Sequence, residues 1–374
     1  MAQDWIKRTA LNLFNFLSCV PLDTISMAMV IEPVSLHEEI MDLSLVGKTI
    51  DGMGFAYTQL DCVGKNVGSI EVLSDYEYLR QIDLSQNCID NVSAIAGLSH
   101  VLRLNLSANK IPTIDSWLSG GQAHLMHLDL SGNKLVALPA LQMPALRTAS
   151  FARNLIDTCA SFTGHSTLEL LDLSVNPLES LIGVGNMPRL KSLNVSSNKL
   201  WSLAGLSGLP SLVDLDISSN AFESFIGPWS EMPKVETLSA QNNRVMKADG
   251  LEALFQVPSL KQLNVLGNPL ADEDGVNIRH EVIIWQYRVQ KIDGEEVTED
   301  ERGEAKALNE DRQEKERIRK EEEAEAKRLA EEEEAKRVAE EEEAKRLAEE
   351  EEAKNKAPAE NVENEVKEES PTDA

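Results

Sequence analysis

The chain has 374 residues, a formal net charge of −27, 42% hydrophobic residues and only 5% aromatic ones. So large a surplus of acid disfavours nucleic acid and anionic membrane surfaces as partners, because both are themselves negative. The four cysteines, Cys19, Cys62, Cys88 and Cys159, include no close-spaced metal pair and no disulfide framework, which points to a reducing compartment, the cytosol.

The first 32 residues carry Lys7 and Arg8 ahead of an apolar run from Ala10 to Val20, the outline of a signal peptide. Asn12 and Asn15 interrupt that run, and it is too short to span a bilayer, so a cytosolic protein is expected. Residues 1–54 read as an N-terminal extension followed by a leading helix. The helix is predicted from Ser35, because Ser35 to Glu38 has capping-box spacing and Ile40, Leu43 and Leu45 follow. Gly47-Lys48-Thr49 ends like a phosphate-binding loop, but Asp42 stands where that loop needs glycine. No nucleotide site is expected.

Residues 55–300 follow one pattern, L-x-x-L-x-L-x-x-N. Its asparagines are Asn87, Asn109, Asn133, Asn154, Asn176, Asn198, Asn220, Asn243 and Asn268, spaced by 22, 24, 21, 22, 22, 22, 23 and 25 residues. Apolar residues stand eight, five and three before each asparagine, as Leu190, Leu193 and Val195 do before Asn198, and more follow at plus two and plus five, as Leu200 and Leu203 do. A fixed period in the twenties with this spacing is a leucine-rich repeat. Each L-x-L core predicts a short strand with alternating inward and outward side chains. No coil buries its apolar stripe alone, so about ten coils should stack into an α/β solenoid with one shared core. The asparagine amide should donate to and accept from backbone groups that no strand ladder satisfies. Ahead of Asn87, Tyr57, Leu60 and Cys62 precede Lys65 in the same phase, a degenerate first coil.

Chemistry is hard to find in this array. His124 and His127 have H-x-x-H spacing, but across the start of a strand and without a following glutamate, so they read as exposed polar side chains. The serines two before each asparagine, such as Ser85 and Ser174, read as surface positions. No catalytic, metal or cofactor constellation stands out, and a non-enzymatic protein without cofactor or small-molecule substrate is expected.

The informative residues are the outward rows of the strands. Asp83, Asn105, Asp129, Asp172, Asn194, Asp216 and Asn264 lie four before their asparagines; Arg103, His127 and Asp214 lie six before. Together they predict a small, polar, mildly acidic concave face without an aromatic anchor. One reading is a trough for a basic or amide-rich segment of a partner; the other is that these residues only keep the face soluble.

After Asn268, the spacing of Ile278, Val282, Trp285 and Val289 predicts a short capping helix, and Ile292-Asp293-Gly294 with Val297 a final half-coil. Thr298 to Glu301 again has capping-box spacing and opens a charged helix over 301–353. Its nine-residue repeat begins at Ala326, Ala335 and Ala344, and nine residues make two and a half turns. Leu329, Val338 and Leu347 therefore point to alternating sides, and no coiled-coil seam forms. Stability should come from pairs such as Glu332–Lys336, Glu333–Arg337, Lys336–Glu340 and Arg337–Glu341, each contributing about 0.2–0.5 kcal/mol. Residues 354–374 are polar and read as disordered.

Three blocks carry a resemblance: Gly54-Phe55-Ala56-Tyr57-Thr58-Gln59-Leu60, Ala149-Ser150-Phe151-Ala152-Arg153-Asn154, and Asp300-Glu301-Arg302-Gly303-Glu304-Ala305. With them the span from about 33 to 310 resembles the leucine-rich repeat-containing protein 23 family, radial-spoke proteins of motile cilia and flagella. The first 32 residues and the long charged helix depart from that pattern. The resemblance implies a structural part of the axonemal radial spoke, of the third spoke in particular, monomeric within a large assembly of spoke and axonemal proteins. It implies cytoplasm, cytoskeleton and cilium as the location. Two other readings stand beside it. A regulatory subunit of protein phosphatase 1 also uses 22-residue repeats, and an acidic nuclear leucine-rich protein binds histones, though its tail would be nearly pure Asp and Glu.

Overall fold

The computed structural model describes residues 33–49, 53–118, 122–272 and 277–355. The signal-peptide-like run and the tail past Asn355 lie outside the described residues. The chain opens with strands β1 (Val34–Ser35), β2 (Asp42–Lys48), β3 (Phe55–Asp61) and β4 (Val67–Ser69). Next come β5 (Gln81–Asp83), β6 (Arg103–Asn105), a short helix α1 (Asp115–Leu118), β7 (His127–Asp129), β8 (Thr148–Ser150) and β9 (Leu170–Asp172). The array continues through β10 (Ser192–Asn194), β11 (Asp214–Asp216), β12 (Thr237–Ser239) and β13 (Gln262–Asn264). It closes with α2 (Ile278–Trp285), β14 (Lys291–Ile292), β15 (Glu295–Glu296) and α3 (Glu299–Asn355).

Thirteen strands form one sheet in sequence order from β2 to β15 with β4 omitted. The two edge strands, β2 and β15, pair antiparallel to their neighbours, and the eleven between them run parallel: ten coils, and the final half-coil at β14 that the sequence predicts. The register is residue for residue: Leu171 pairs with Leu193, Leu193 with Leu215, Leu215 with Leu238. These middle residues are all buried, and each contributes roughly 1.5–3 kcal/mol of apolar burial. At β8 the inward residue is the small Ala149, and the fully buried Phe151 two places on supplies the missing volume.

The asparagines bond as their chemistry predicts. Asn109 Nδ2 donates to the carbonyls of Leu84, Leu106 and Ser107 at 3.0, 2.9 and 3.2 Å, and its Oδ1 accepts from Ile89 N–H at 3.0 Å. Asn176 and Asn220 repeat the pattern on their own preceding coils. The residue before each asparagine is left-handed in every case: Gln86, Ala108, Gly132, Arg153, Val175, Ser197, Ser219, Asn242 and Gly267, with φ from 53 to 74°. Only two of these are glycine, so seven coils hold a side chain where L-residues are unfavourable by about 1–2 kcal/mol each. The side-chain ladder fixes that turn.

The expected leading helix is not there. Val34 and Ser35 form β1 against β4, and β2 (Asp42–Lys48) pairs antiparallel with β3 (Phe55–Asp61) as a hairpin. Glu38 does not cap Ser35; it accepts from Tyr76 Oη at 3.3 Å. The cause is the open edge of the first coil. A helix would leave the outer hydrogen-bonding groups of β3 without partners, whereas the hairpin continues the sheet. For the same reason Tyr57, expected in the core, is 45% exposed: it belongs to the hairpin extension of β3, ahead of the coil proper. Leu60, Cys62, Val67 and Ile70 are buried as that coil requires. The repeat serines are not free surface either, since Ser85 and Ser174 are buried.

At the other end α2 is capped by Asn277, whose Oδ1 accepts from Arg279 N–H at 3.0 Å, and its Val282 and Ile283 are buried. Gln286 Nε2 donates to the carbonyls of Leu254 and Val257, tying the cap to the last return segment. The capping box at Thr298 forms in both directions: Glu301 N–H donates to Thr298 Oγ1 at 3.2 Å, and Thr298 N–H to Glu301 Oε2 at 2.8 Å. Arg279 reaches the same carboxylate with two N–H groups at 2.6 and 3.1 Å. That guanidinium, helped by Thr298, holds the Glu301 carboxyl down at about 2. The stabilisation is therefore complete above the ordinary value of 4.5 and fades as pH falls toward 2.

The chain divides after Arg302 into two units. Taken by itself, the second is the continuation of α3, a helix of 57 residues, about 86 Å at about 1.5 Å per residue. Leu329, Val338 and Leu347 are exposed. Of the pairs named from the sequence, Glu332–Lys336 closes at 3.2 Å, while Arg337 turns back to Glu334 at 3.8 Å. Exposed side chains choose freely among near-equal partners.

Two predictions follow from this packing. Asn176→Ala removes an amide that serves three carbonyls and one N–H, so unfolding should become easier by roughly 3 kcal/mol or more. Val175→Gly relieves a β-branched residue at φ 56° and should stabilise by about 1 kcal/mol, both read by denaturant melts. A peptide of residues 301–353 should be helical independently of concentration and lose helicity as salt rises. Glutamate at Lys336, Arg337, Lys345 and Arg346 together should melt its middle, and a dimer mass by sedimentation would contradict the single helix.

Candidate interaction surface

Two rows of side chains leave the sheet on its solvent side, because strand residues alternate faces. The residues singled out from the sequence all lie there: Asp83 on β5, Arg103 and Asn105 on β6, His127 and Asp129 on β7, Asp172 on β9, Asn194 on β10, Asp214 and Asp216 on β11, and Asn264 on β13. Strand pairing sets them side by side, Gln81 beside Arg103 beside His127, and Asp83 beside Asn105 beside Asp129.

The row nearer the asparagines already has a structural task. Asp83, Asn105, Asp129, Asp172, Asn194 and Asp216 each accept, through Oδ1, the N–H of the serine two residues later at 2.8 to 3.0 Å. The serine carbonyl then receives the asparagine amide, as Ser174 does from Asn176. Six residues therefore spend one oxygen on the turn. At Asp83 the second oxygen accepts from Asn105 Nδ2 at 2.9 Å. The serines act through the backbone, a role their surface-like spacing does not advertise.

The outer row is more varied. His127 Nδ1 lies 2.9 Å from Thr148 Oγ1, and partial burial, with the positive charges of Arg103 and Arg147, pushes its pKa below the usual 6.5. It is thus neutral at physiological pH and does not offset the neighbouring aspartates. A shallow depression of about 400 Å³ runs across β3 to β9, with the half-exposed Leu170 at one end. The hairpin lengthens this face. Gln59 pairs with Gln81 and Asp61 with Asp83, so Tyr57 and Phe55, two and four residues earlier on the same strand, share that side. Phe55 is 71% exposed, and its partner across the hairpin is Lys48. The face does have aromatic residues, contrary to the sequence expectation. The alternation Phe55, Tyr57, Gln59, Asp61 is the signal that could have found them.

Reactive groups are muted elsewhere. Cys62 and Cys159 are buried, and burial pushes the Cys159 thiol up to about 12, so neither is a ready nucleophile. Among the described residues no group of three His, Cys, Asp or Glu side chains is placed to hold a metal, and no helix is long and apolar enough to cross a membrane.

Comparison with known proteins agrees with the repeat geometry. Residues 121–136 match the family model described as Leucine Rich repeat. The chain is 29% identical to Leucine-rich repeat-containing protein 23 of Homo sapiens over 301 residues, covering 74% of this chain and 80% of that one. It is 28% identical over 295 residues to the protein of that name from Bos taurus, covering 72% of this chain and 78% of that one. Among solved structures, the leucine-rich repeat domain of APL1B is 23% identical with a TM-score of 0.45, covering 53% of this chain and 57% of that chain.

The charge arrangement makes a direct prediction. In an NMR pH titration the His127 ring should titrate below 6.5, and Arg103→Ala should move the midpoint back upward by removing a positive neighbour. A midpoint at or above the ordinary value would show that neither burial nor the arginines act on it.

Proposed function

We propose that this chain, a leucine-rich repeat protein that resembles leucine-rich repeat-containing protein 23, is a structural part of the axonemal radial spoke of motile cilia or flagella, at the third spoke. The observation that carries the reading is the likeness over 301 residues together with its odd coil, Ala149 to Asn154. A generic repeat would place leucine at the positions of Ala149 and Phe151. The architecture supports a scaffold: a solenoid whose one repeated polar network is spent on rigidity, followed by a long charged helix suited to spacing or docking rather than dimerising. In this reading the protein is not an enzyme, and the strand face receives a basic or amide-rich segment of a spoke neighbour. Steering by the aspartates would act on association more than on final affinity.

A tagged copy should label the axoneme along the flagellum; a nuclear or diffuse cytosolic signal would sink the reading. Retention of protein phosphatase 1 in a pull-down would favour the regulatory-subunit alternative instead. Asp172→Lys with Asp216→Lys should release the protein from axonemes. The free oxygens are lost together with two turn bonds, so a melt with a drop of about 1–2 kcal/mol is expected alongside. Normal retention would mean that the acidity of this face serves solvation alone.

A further inference from the structure

The strand face is acidic in the row four before the asparagines, but the rim where the chain enters β6 to β10 has the opposite sign. Residues 96–103, 120–127, 141–148, 163–170 and 185–192 lead into these five strands and hold four basic residues and one acid, in a chain of net charge −27. The four are Arg103, Arg147, Arg189 and Lys191, all exposed, and the acid, Glu169, is already paired with Lys191 at 2.7 Å. No hydrogen bond or ion pair to a described residue occupies the guanidinium groups of Arg103, Arg147 and Arg189. The bases are close enough to share neighbours. Behind burial, Arg103 and Arg147 both lower the His127 pKa; behind the hydrogen bond and charge of Lys191, Arg147 and Arg189 both lower that of Glu169. Trp201, Ile182 and Ile226, exposed on the flank that the coils follow after their asparagines, stand instead among charges of both signs, Glu179 and Lys199 among them, and single out no partner.

The spacing of the bases is regular. Arg103 opens β6, Arg147 directly precedes β8 and Lys191 directly precedes β10, so one base stands at every second strand. Two strand steps of about 4.8 Å make about 10 Å. An extended chain covers that in three residues, which turns the two side chains to opposite faces. A helix covers it in seven, two turns that return to the same side. Leu170 on β9, 40% exposed, offers an apolar contact between the last two bases, and it lines the same depression as Arg103, His127 and Thr148.

We propose that this rim docks an acidic helix of a partner protein, with carboxylates at i, i+7 and i+14 meeting Arg103, Arg147 and Lys191 with Arg189, and an apolar residue at i+11 over Leu170. Guanidinium groups receive carboxylates in a two-pronged geometry, which gives orientation as well as attraction. Asp83, Asp129 and Asp172 belong to the alternate strands β5, β7 and β9 and lie three residues further along, about 10 Å, where 0.1 M salt already screens them. The nearby bases therefore decide the sign. Nucleic acid is a poor occupant, since its dense charge meets the −27 of the whole chain. The chain's own charged helix fits badly too, because its glutamate blocks recur every nine residues, about 13.5 Å. The inference does not depend on the axonemal reading or on the aspartate row.

The test uses the full chain and three labelled helical peptides read by fluorescence anisotropy. One has glutamate at i, i+7 and i+14 with leucine at i+11, the second has glutamine for glutamate, and the third has its glutamates nine residues apart. The first should bind saturably and the other two at least about tenfold more weakly. Arg103→Gln with Arg147→Gln should weaken the first about tenfold or more with little change in the melt, since both side chains are exposed. Asp172→Lys with Asp216→Lys should leave this binding no weaker, which separates failure of the rim from failure of the aspartate trough. Equal binding of the glutamate and glutamine peptides, equal binding of the two spacings, no saturable binding, or indifference to the arginine variant would overturn the proposal. An oligonucleotide that outcompetes the glutamate peptide and is lost with the same arginines would give the rim to nucleic acid, with the same result.

Discussion

One side-chain interaction sets the register of the repeat unit: the asparagine amide that bonds its own turn to the coil before it. The turn it holds contains a left-handed residue, unfavourable for the seven non-glycine occupants. Its carbonyls point into the stack, where water cannot reach them. An apolar residue of similar size would leave several of those groups without partners, which outweighs any gain in burial. Because every amide reaches back one coil, stacking order and strand register are fixed by the same bonds. The exceptions at the two ends follow from that direction. Lys65 holds the slot of the first coil, where no complete coil precedes it, and its own N–H is served by Asn87 Oδ1 at 3.0 Å. At the far end Asp293 Oδ1 accepts from Val265 and Leu266 N–H at 2.7 and 3.0 Å. In the interior such N–H groups meet the next strand's carbonyl, as Val195 meets Asp216. With only donors left to satisfy, an acceptor-only carboxylate suffices.

The interior of the array was legible in the sequence because each coil states the same rule, and nine asparagines in phase leave one solution. The caps were less so. Ser35 to Glu38 satisfies a local helix signal, yet the chain there makes strands, because the first coil needs its edge covered and local propensity contributes too little to oppose that. Glu38 instead meets Tyr76, a partner 38 residues away that no local pattern contains. The Thr298 to Glu301 box, identical in spacing, does form, since Arg279 sits beside it and nothing in the sheet competes for the segment. The same motif therefore succeeds or fails on what the neighbouring edge requires.

For the candidate surface, the rows themselves could be read from spacing, but the use of each residue could not. Asp172 and Asp216 look like free acids in the sequence, and in the structure each spends one oxygen on a serine N–H. The flank was invisible for a different reason. Trp201, Ile182 and Ile226 lie between buried positions in stretches that read as connectors, and an apolar residue there is easily mistaken for core. Only the exposure of three coils together separates them from their buried neighbours.

The two surfaces differ in what the fold asks of them. On the strand face, acidity comes partly as a by-product of the turn, because an aspartate caps the serine N–H as well as an asparagine does. Evolutionary or chemical changes there meet a structural cost first. Trp201 stands 69% exposed, and a large exposed apolar side chain in a protein is otherwise a solubility burden. A chain with this much negative charge can tolerate such a patch because self-repulsion keeps copies apart.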